Sequence, residues 1–217
     1  MVRDGYFYGL ALLVVAAIVW HFTGLLVLAG IPVLLAAFFL WFFRDPSRTI
    51  PDGVGQIVSP GDGKVDMIGL VETPSGERLR ITIFLNVFNV HVNRVPIGGI
   101  VELVEFRKGK FLNAMNPESA VQNEQTLITI NNGDYSVSFK QVAGLLARRI
   151  VCNLKAGDRV ERGQRMGLIK FGSRVDVLMP VEAQLRVTKG QHVAGGTTVL
   201  AVMPEAGNTV GAPGGAA

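Results

Sequence analysis

Cysteine is nearly absent from this 217-residue chain, with Cys152 standing alone. A single thiol excludes an internal disulfide and fits a reducing compartment such as the cytoplasm. Clustered metal ligands are lacking too. The three histidines, His21, His91 and His192, form with Cys152 none of the spacings a zinc site needs, so no metal is expected. Charge is missing over one long stretch. Between Tyr6 and Phe43 there is no Asp, Glu, Lys or Arg, and His21 is the one side chain there that titrates near neutral pH. Helical periodicity is scarce after Phe43, which leaves an all-β domain or one with very little helix; Ala143–Arg149 offers a turn or two at most.

The uncharged stretch accounts for a mean hydropathy of +0.37 and a 49% apolar composition, since the remainder is ordinary for a globular domain. It is too long for a secretory signal and has no clean small-residue cleavage site after it. One helix needs about 20 residues to cross a bilayer core. The run is nearly twice that and is broken by His21-Phe22-Thr23-Gly24, so it predicts two short spans or a re-entrant hairpin, near Tyr6–Trp20 and Leu25–Phe43. Arg3 precedes the run, and Arg44 and Arg48 follow it. That distribution places both ends, and the domain beyond, on the cytoplasmic side of the inner membrane. Trp20, Trp41, Phe42 and Phe43 suit the interfacial aromatic belts. Residues 1–48 thus read as a membrane anchor, and the composition break at Arg44 predicts an anchor separable from the chemistry. A net charge of +4 and a pI near 9.5 suit an anionic partner. With an anchor attached, that partner is a phospholipid surface rather than nucleic acid.

Pro46 ends the membrane part, and short strands with Gly, Pro and Asp turns follow. Strands are predicted at Gln56–Val58, Gly63–Gly69, Leu79–Leu85, His91–Val95 and Ile100–Phe106. Others are predicted at Thr126–Asn131, Tyr135–Gln141, Ile150–Asn153, Met166–Phe171 and Val175–Met179. Lys155–Gln164 and Val187–Gly196 form a near-repeat: strand, Gly-polar turn, Val, second Gly turn. Such hairpin pairs occur in the flattened barrels of lipoyl and biotinyl carriers. The fold expected is therefore mainly β, a flattened barrel or sandwich with lipoyl-like hairpins over residues 49–203, behind a helical hairpin. Residues 204–217, rich in Gly and Ala, have little to bury and read as a disordered tail.

The chemistry centres on Gly172-Ser173, a flexible pair inside an apolar, strand-like stretch. Blandly it is a tight turn. Alternatively, glycine leaves its carbonyl open to the neighbouring hydroxyl. Attack would turn the Gly172–Ser173 amide into an ester, β-elimination would break the chain, and Ser173 would end as a pyruvoyl group. The Gly-x-Ser-x-Gly frame of serine hydrolases is missing around Ser173, so an ordinary esterase is a poor fit. In Val90–Val95, alternation puts His91 and Asn93 on one strand face, where a lone histidine is either structural or a base. Asp62, in Ser59-Pro60-Gly61-Asp62-Gly63, is either a turn residue or the carboxylate that orients a base. The basic residues, Arg148 and Arg149 among them, are spread over loops as a solvated surface, some of it available to lipid phosphates.

These pieces together resemble a phosphatidylserine decarboxylase of the short, prokaryotic form. The likeness runs from Phe42-Phe43-Arg44-Asp45-Pro46-Ser47-Arg48 to Val202. It includes Ser59–Gly63, Asn89–Arg94 and Phe171-Gly172-Ser173-Arg174-Val175-Asp176-Val177. The resemblance implies self-cleavage between Gly172 and Ser173, a covalent pyruvoyl cofactor made from Ser173, and a heterodimer of the two cut chains, with further dimerisation expected. It places the family's aspartate on Asp62 and its strand histidine on His91. The cofactor's ketone would take the serine amine of the lipid and accept the electrons released with CO2, giving phosphatidylethanolamine. His91 is then the proton donor, and Phe84, Val87 and Phe88 are an apolar shelf that excludes water. One position departs from the longer enzymes, which carry His-x-x-His here: the second site is Arg94, and arginine cannot act as a base. Either His91 serves both steps or the roles do not transfer. A non-catalytic lipoyl-like carrier needs an exposed hairpin-tip lysine, and neither near-repeat offers a convincing one. A membrane metallopeptidase lacks its ligands.

Overall fold

The apolar run breaks close to the expected point. In the computed structural model, which describes residues 2–113, 116, 118–145, 149–170 and 172–204, it forms a hairpin of two helices. Helix α1 (Arg3–Thr23) ends at Gly24, whose φ of +64° lets its N–H cap the Trp20 carbonyl at 2.8 Å. Helix α2 (Leu26–Phe42) returns alongside it. Small residues bring the helices together: Gly5, Gly9 and Ala16 on α1, Ala29, Pro32 and Ala36 on α2. A Cβ on Gly9 would lie 2.8 Å from Leu40 Cδ2, so any larger residue there must push the Leu40 side chain aside. Larger apolar side chains, such as Phe7, Leu10, Phe22 and Leu34, face outward. By length and composition α1 is able to cross a membrane, whereas α2, at 17 residues, is shorter.

The remainder is mainly β. The first part contributes β1 (Gln56–Val58), β2 (Gly63–Thr73), β3 (Gly76–Leu85), β4 (Val92–Arg94) and β5 (Gly99–Arg107). After the one-turn helix α3 (Ser119–Gln122) come β6 (Gln125–Asn131), β7 (Ser136–Val142), β8 (Ile150–Cys152), β9 (Arg159–Val160) and β10 (Arg165–Ile169). The last part holds β11 (Ser173–Met179), β12 (Gln184–Leu185), β13 (His192–Val193) and β14 (Val199–Val202). The flattened barrel expected takes the form of a curled eight-stranded sheet, ordered β13-β2-β3-β11-β7-β6-β5-β9, with two three-stranded sheets, β1-β14-β12 and β4-β10-β8. Residues 146–148 of the expected turn at Ala143–Arg149, Phe171 of the cleavage motif, and 205–217 of the expected tail lie outside the described residues.

Strand alternation builds the core. Val175, Val177 and Met179 of β11 join Ile81 and Ile83 of β3, Phe139 of β7 and Ile128 and Ile130 of β6 in one buried cluster. The near-repeat has a spatial meaning. Its halves carry β9 and β13, which pair with β5 and β2 at opposite edges of the eight-stranded sheet. Glycines closing the halves, Gly163 and Gly196, both sit against Ile50, so the segment leaving the hairpin is clasped between them.

Two expectations need correction. The strand expected at His91–Val95 is only Val92–Arg94, and His91 precedes it. Both faces of this stretch are covered, because Val90, His91, Val92, Asn93 and Arg94 are all buried. The polar face read from alternation therefore points into the protein, and its polar groups must find partners there.

Candidate active site

His91 is held from three sides. Its Nδ1 lies 2.9 Å from the Asn89 carbonyl, which assigns the ring proton to Nδ1. The acceptor Nε2 then takes the Gly172 N–H at 3.3 Å. The ring face lies on Phe42, centroids 4.4 Å apart and planes 33° from parallel. Burial is the main reason its pKa falls from 6.5 to about 4. The Asn89 carbonyl opposes that shift, the Arg44 charge adds to it, and Asp62 opposes it more weakly. At neutral pH this imidazole is uncharged, with one lone pair directed at the Gly172 backbone.

Gly172 has φ +52°, in the left-handed region, and a Cβ built there would meet nothing within 4 Å. Backbone conformation, not crowding, is what favours glycine. Ser173 opens β11 opposite Leu85 of β3, on the face shared with the core residues Val175 and Val177. It is fully buried, and its Oγ has no hydrogen-bond partner among the described residues. Leaving a buried hydroxyl unpaired costs about 1–3 kcal/mol, so a structural serine would normally avoid it.

Asp62 is elsewhere engaged. Both its oxygens take the Arg48 guanidinium, at 2.9 and 2.8 Å, and Oδ1 also accepts the Gly195 N–H at 2.7 Å. It acts on His91 through space alone. Arg94, at the second family position, is a structural cation. It reaches the Asp45 carboxylate at 2.8 Å and the Gly163 carbonyl at 3.0 Å, tying the hairpin exit to the first near-repeat. Phe84 flanks Leu85 in β3 and so lies on the sheet face away from Ser173. Val87 is half-buried, while Phe88 is exposed and packs edge-on against Trp41, centroids 6.1 Å apart. Arg44 joins this pair: its guanidinium covers the Trp41 ring at 4.2 Å and donates to the Phe88 carbonyl at 2.7 Å.

Sequence reasoning missed three contributors. Phe42 read as part of an aromatic belt, yet it is fully buried against His91. Gln141 of β7 faces Val175 in register, one pleat from Ser173, and its Nε2 donates to Asn93 Oδ1 at 2.8 Å. The buried Gln141 Oε1 is unpartnered among the described residues. Arg174 and Asp176 form a buried pair on the other face of β11, with Nε–Oδ1 at 2.7 Å and the Thr82 hydroxyl donating to Oδ1 at 2.8 Å. Charged residues two apart on a strand share a face, which is the one signal that could have found this pair. Among the described residues no three His, Cys, Asp or Glu side chains gather as a metal site.

The arrangement supplies a buried hydroxyl beside a left-handed glycine and a neutral base one residue from the bond between them. Comparison with known proteins points the same way. Residues 35–201 match the sequence profile of the phosphatidylserine decarboxylase family. A phosphatidylserine decarboxylase proenzyme of Solibacter usitatus is 47% identical over 202 residues, covering 93% of this chain and 96% of its own. Proteins of the same name from Ralstonia nicotianae (47% over 171 residues; 77% and 80% covered) and Burkholderia pseudomallei (41% over 206; 94% and 95%) are also similar. With matches of this extent, the chain belongs to the phosphatidylserine decarboxylase family.

Proposed function

We propose that this chain is a proenzyme that cuts itself between Gly172 and Ser173 and then decarboxylates phosphatidylserine to phosphatidylethanolamine at a membrane. The observation that carries the reading is Ser173: a fully buried, unpartnered hydroxyl next to a glycine at φ +52°, with His91 Nε2 3.3 Å from the Gly172 nitrogen. His91 takes the Ser173 hydroxyl proton as Oγ bonds to the Gly172 carbonyl carbon. The C–N bond breaks, the Ser173 nitrogen is protonated, and an ester replaces the amide. Loss of the Ser173 α-proton then expels the Gly172 carboxylate. The dehydroalanine left at position 173 tautomerises, takes up water and releases ammonia. His91 must first give up the Gly172 N–H and turn Nε2 to the Ser173 hydroxyl.

A pyruvoyl group fits at this position because its three carbons are those of Ser173, whose hydroxyl oxygen leaves with Gly172 and has no structural partner to lose among the described residues. Such a group, once present, offers an electron-poor carbonyl that takes a primary amine and accepts the electrons freed by loss of CO2. The residues around it do the remaining work. Leu85 and Val175 exclude water, and His91 delivers a proton to the substrate carbon. Gln141 Oε1 stands free to accept from the serine ammonium. Trp41, Phe88 and Arg44 lie where α2 ends, a place suited to a lipid whose head reaches His91. With Arg3, Arg44 and Arg48 flanking the hairpin, the catalytic domain is cytoplasmic.

Purified protein should contain a fragment from position 173 to Ala217, blocked to Edman sequencing, with a pyruvoyl mass at its end. Borohydride in the presence of phosphatidylserine should attach the lipid amine to that fragment. Ser173→Ala should stay a single, inactive chain. An active, uncut Ser173→Ala protein, or a fragment with a free serine amine, would sink the proposal.

A further inference from the structure

We infer that Phe42, the last residue of the membrane hairpin, is a positioning residue for self-cleavage, so that the hairpin is a working part of the site and not a tether alone. The inference rests on the self-cleavage reading above. The His91 ring has its edge fixed by Asn89 and Gly172, but only an apolar surface can fix its face. Phe42 provides that surface at 4.4 Å and is itself fully buried, in a cluster with Phe43 and Leu168. A rigid ring packed this closely against the imidazole limits its movement, and movement is what would take Nε2 off the Gly172 segment.

A second contact is independent of the first. Lys170, two residues before Gly172, pairs with Asp4 in the first turn of α1 at 2.7 Å, and its Nζ lies near the Tyr8 and Phe43 rings at 5.5 and 5.7 Å. The Val2 N–H closes the arrangement on the Phe43 carbonyl at 3.1 Å. The hairpin therefore holds both reactants: α2 the base, α1 the segment that enters the bond to be cut. Asp62 makes no direct contact with His91 because its charge is committed to Arg48. The charges that act on His91 are Arg44, at the hairpin exit, and Asp62, in the turn before β2; Lys170, after β10, is neutralised by Asp4.

Truncating Phe42 frees the ring to tilt and admits water to it. Misplacement of a reacting group by about 1 Å costs up to about 10²-fold in rate. Hydration also restores the charged form of the imidazole, which moves the loss of base activity to higher pH. A purely structural phenylalanine would lower stability and slow cleavage by one factor at every pH.

The test uses the full chain, pulsed by cell-free translation into phosphatidylglycerol vesicles and shifted to buffers spanning about three and a half pH units below and two above the ordinary histidine value. Conversion of one band into two gives the rate. Phe42→Ala should cleave at least about tenfold more slowly at neutral pH. Its acid limb should rise from the neighbourhood of pH 4 towards 6.5. Phe42→Leu, which refills the volume without a flat face, should keep the wild-type limb and fall between in rate. Asp4→Asn should slow cleavage without moving the limb. A Phe42→Ala protein with wild-type rate and limb overturns the inference, and so does a loss uniform in pH. If Phe42→Ala does not fold, Phe42→Leu at full wild-type rate overturns it equally. Failure of the wild-type chain to split at all is a different result: it removes the self-cleavage reading itself, whatever Phe42 does.

Discussion

In the proposed mechanism His91 has to be a base before the cut and an acid after it. With its pKa near 4 it is neutral at physiological pH, a good acceptor and a poor donor. Cleavage changes its surroundings at the closest point. The Gly172 carbonyl becomes a carboxylate two bonds from the nitrogen that now lies 3.3 Å from Nε2. An opposite charge at that range favours the imidazolium and raises the pKa. The sign follows directly: a raised pKa keeps the ring protonated to higher pH, where it can hand a proton to the substrate carbon. His91 should thus titrate about one unit or more higher in the cut protein than in uncut Ser173→Ala, as read by NMR of the ring carbons. Equal values in the two forms would show that the new terminus leaves the site. His91→Ala should fold yet cleave slower by about 10²-fold or more, and normal turnover by a cut His91→Ala enzyme would remove it from the mechanism.

Strand β11 joins the cleavage site to the rest of the sheet, between β3 and β7. On the face away from Ser173 it buries Arg174 and Asp176, the guanidinium donating to both carboxylate oxygens at 2.7 and 3.0 Å. Breaking a buried pair by neutralising one partner costs about 3–5 kcal/mol, because the other charge stays behind unpaired. Asp176→Asn in the uncut Ser173→Ala background should lose that much in urea unfolding, while the double change Arg174→Met, Asp176→Leu should recover part of it. A loss below about 1 kcal/mol for Asp176→Asn would mean that water already reaches the pair. The sequence announced β11 from Val175 onward, because Val175 and Val177 alternate with Arg174 and Asp176 and an apolar pair follows. It did not announce that Ser173 and Arg174 belong to the same strand. Two-residue strands such as β9, β12 and β13 have no period to read, and they form because the ends of longer strands offer them partners. The same limit hid part of the site. Gly172, Ser173 and His91 sit in motifs and were legible, whereas Phe42 on His91 and Gln141 on Asn93 are contacts across 49 and 48 positions of chain, set by packing. Asp62 was legible as a residue but not as the partner of Arg48, since a carboxylate in a Gly-rich turn carries no mark of its cation.

At the scale of the whole molecule the composition break at Arg44 and the packing boundary do not coincide. Hydropathy assigns Phe42 and Phe43 to the membrane, but both are buried against Leu168 and Val151. The two sides of the proposed cut are equally interleaved. The segment after Ser173 supplies β11 between β3 and β7, β13 beside β2, and β14 beside β1. The two chains should therefore stay together after cleavage until the sheet itself is denatured. A pair of shortened chains separates the anchoring role of the hairpin from its positioning role. Beginning the chain at Arg44 removes the membrane-facing surface together with Phe42 and Phe43; beginning it at Trp41 removes nearly the same surface but keeps both rings. Exposed side chains such as Phe7, Leu10, Phe22 and Leu34 are lost from each, so neither form should float with phosphatidylglycerol vesicles. The chain from Trp41 should still cut itself, more slowly than the full chain for want of the Asp4–Lys170 pair. The chain from Arg44 should be slower by a further factor of about ten or more, because the Phe42 ring is then gone from the face of His91. Equal cleavage by the two shortened chains would return the hairpin to the role its composition first implied, an anchor and nothing else.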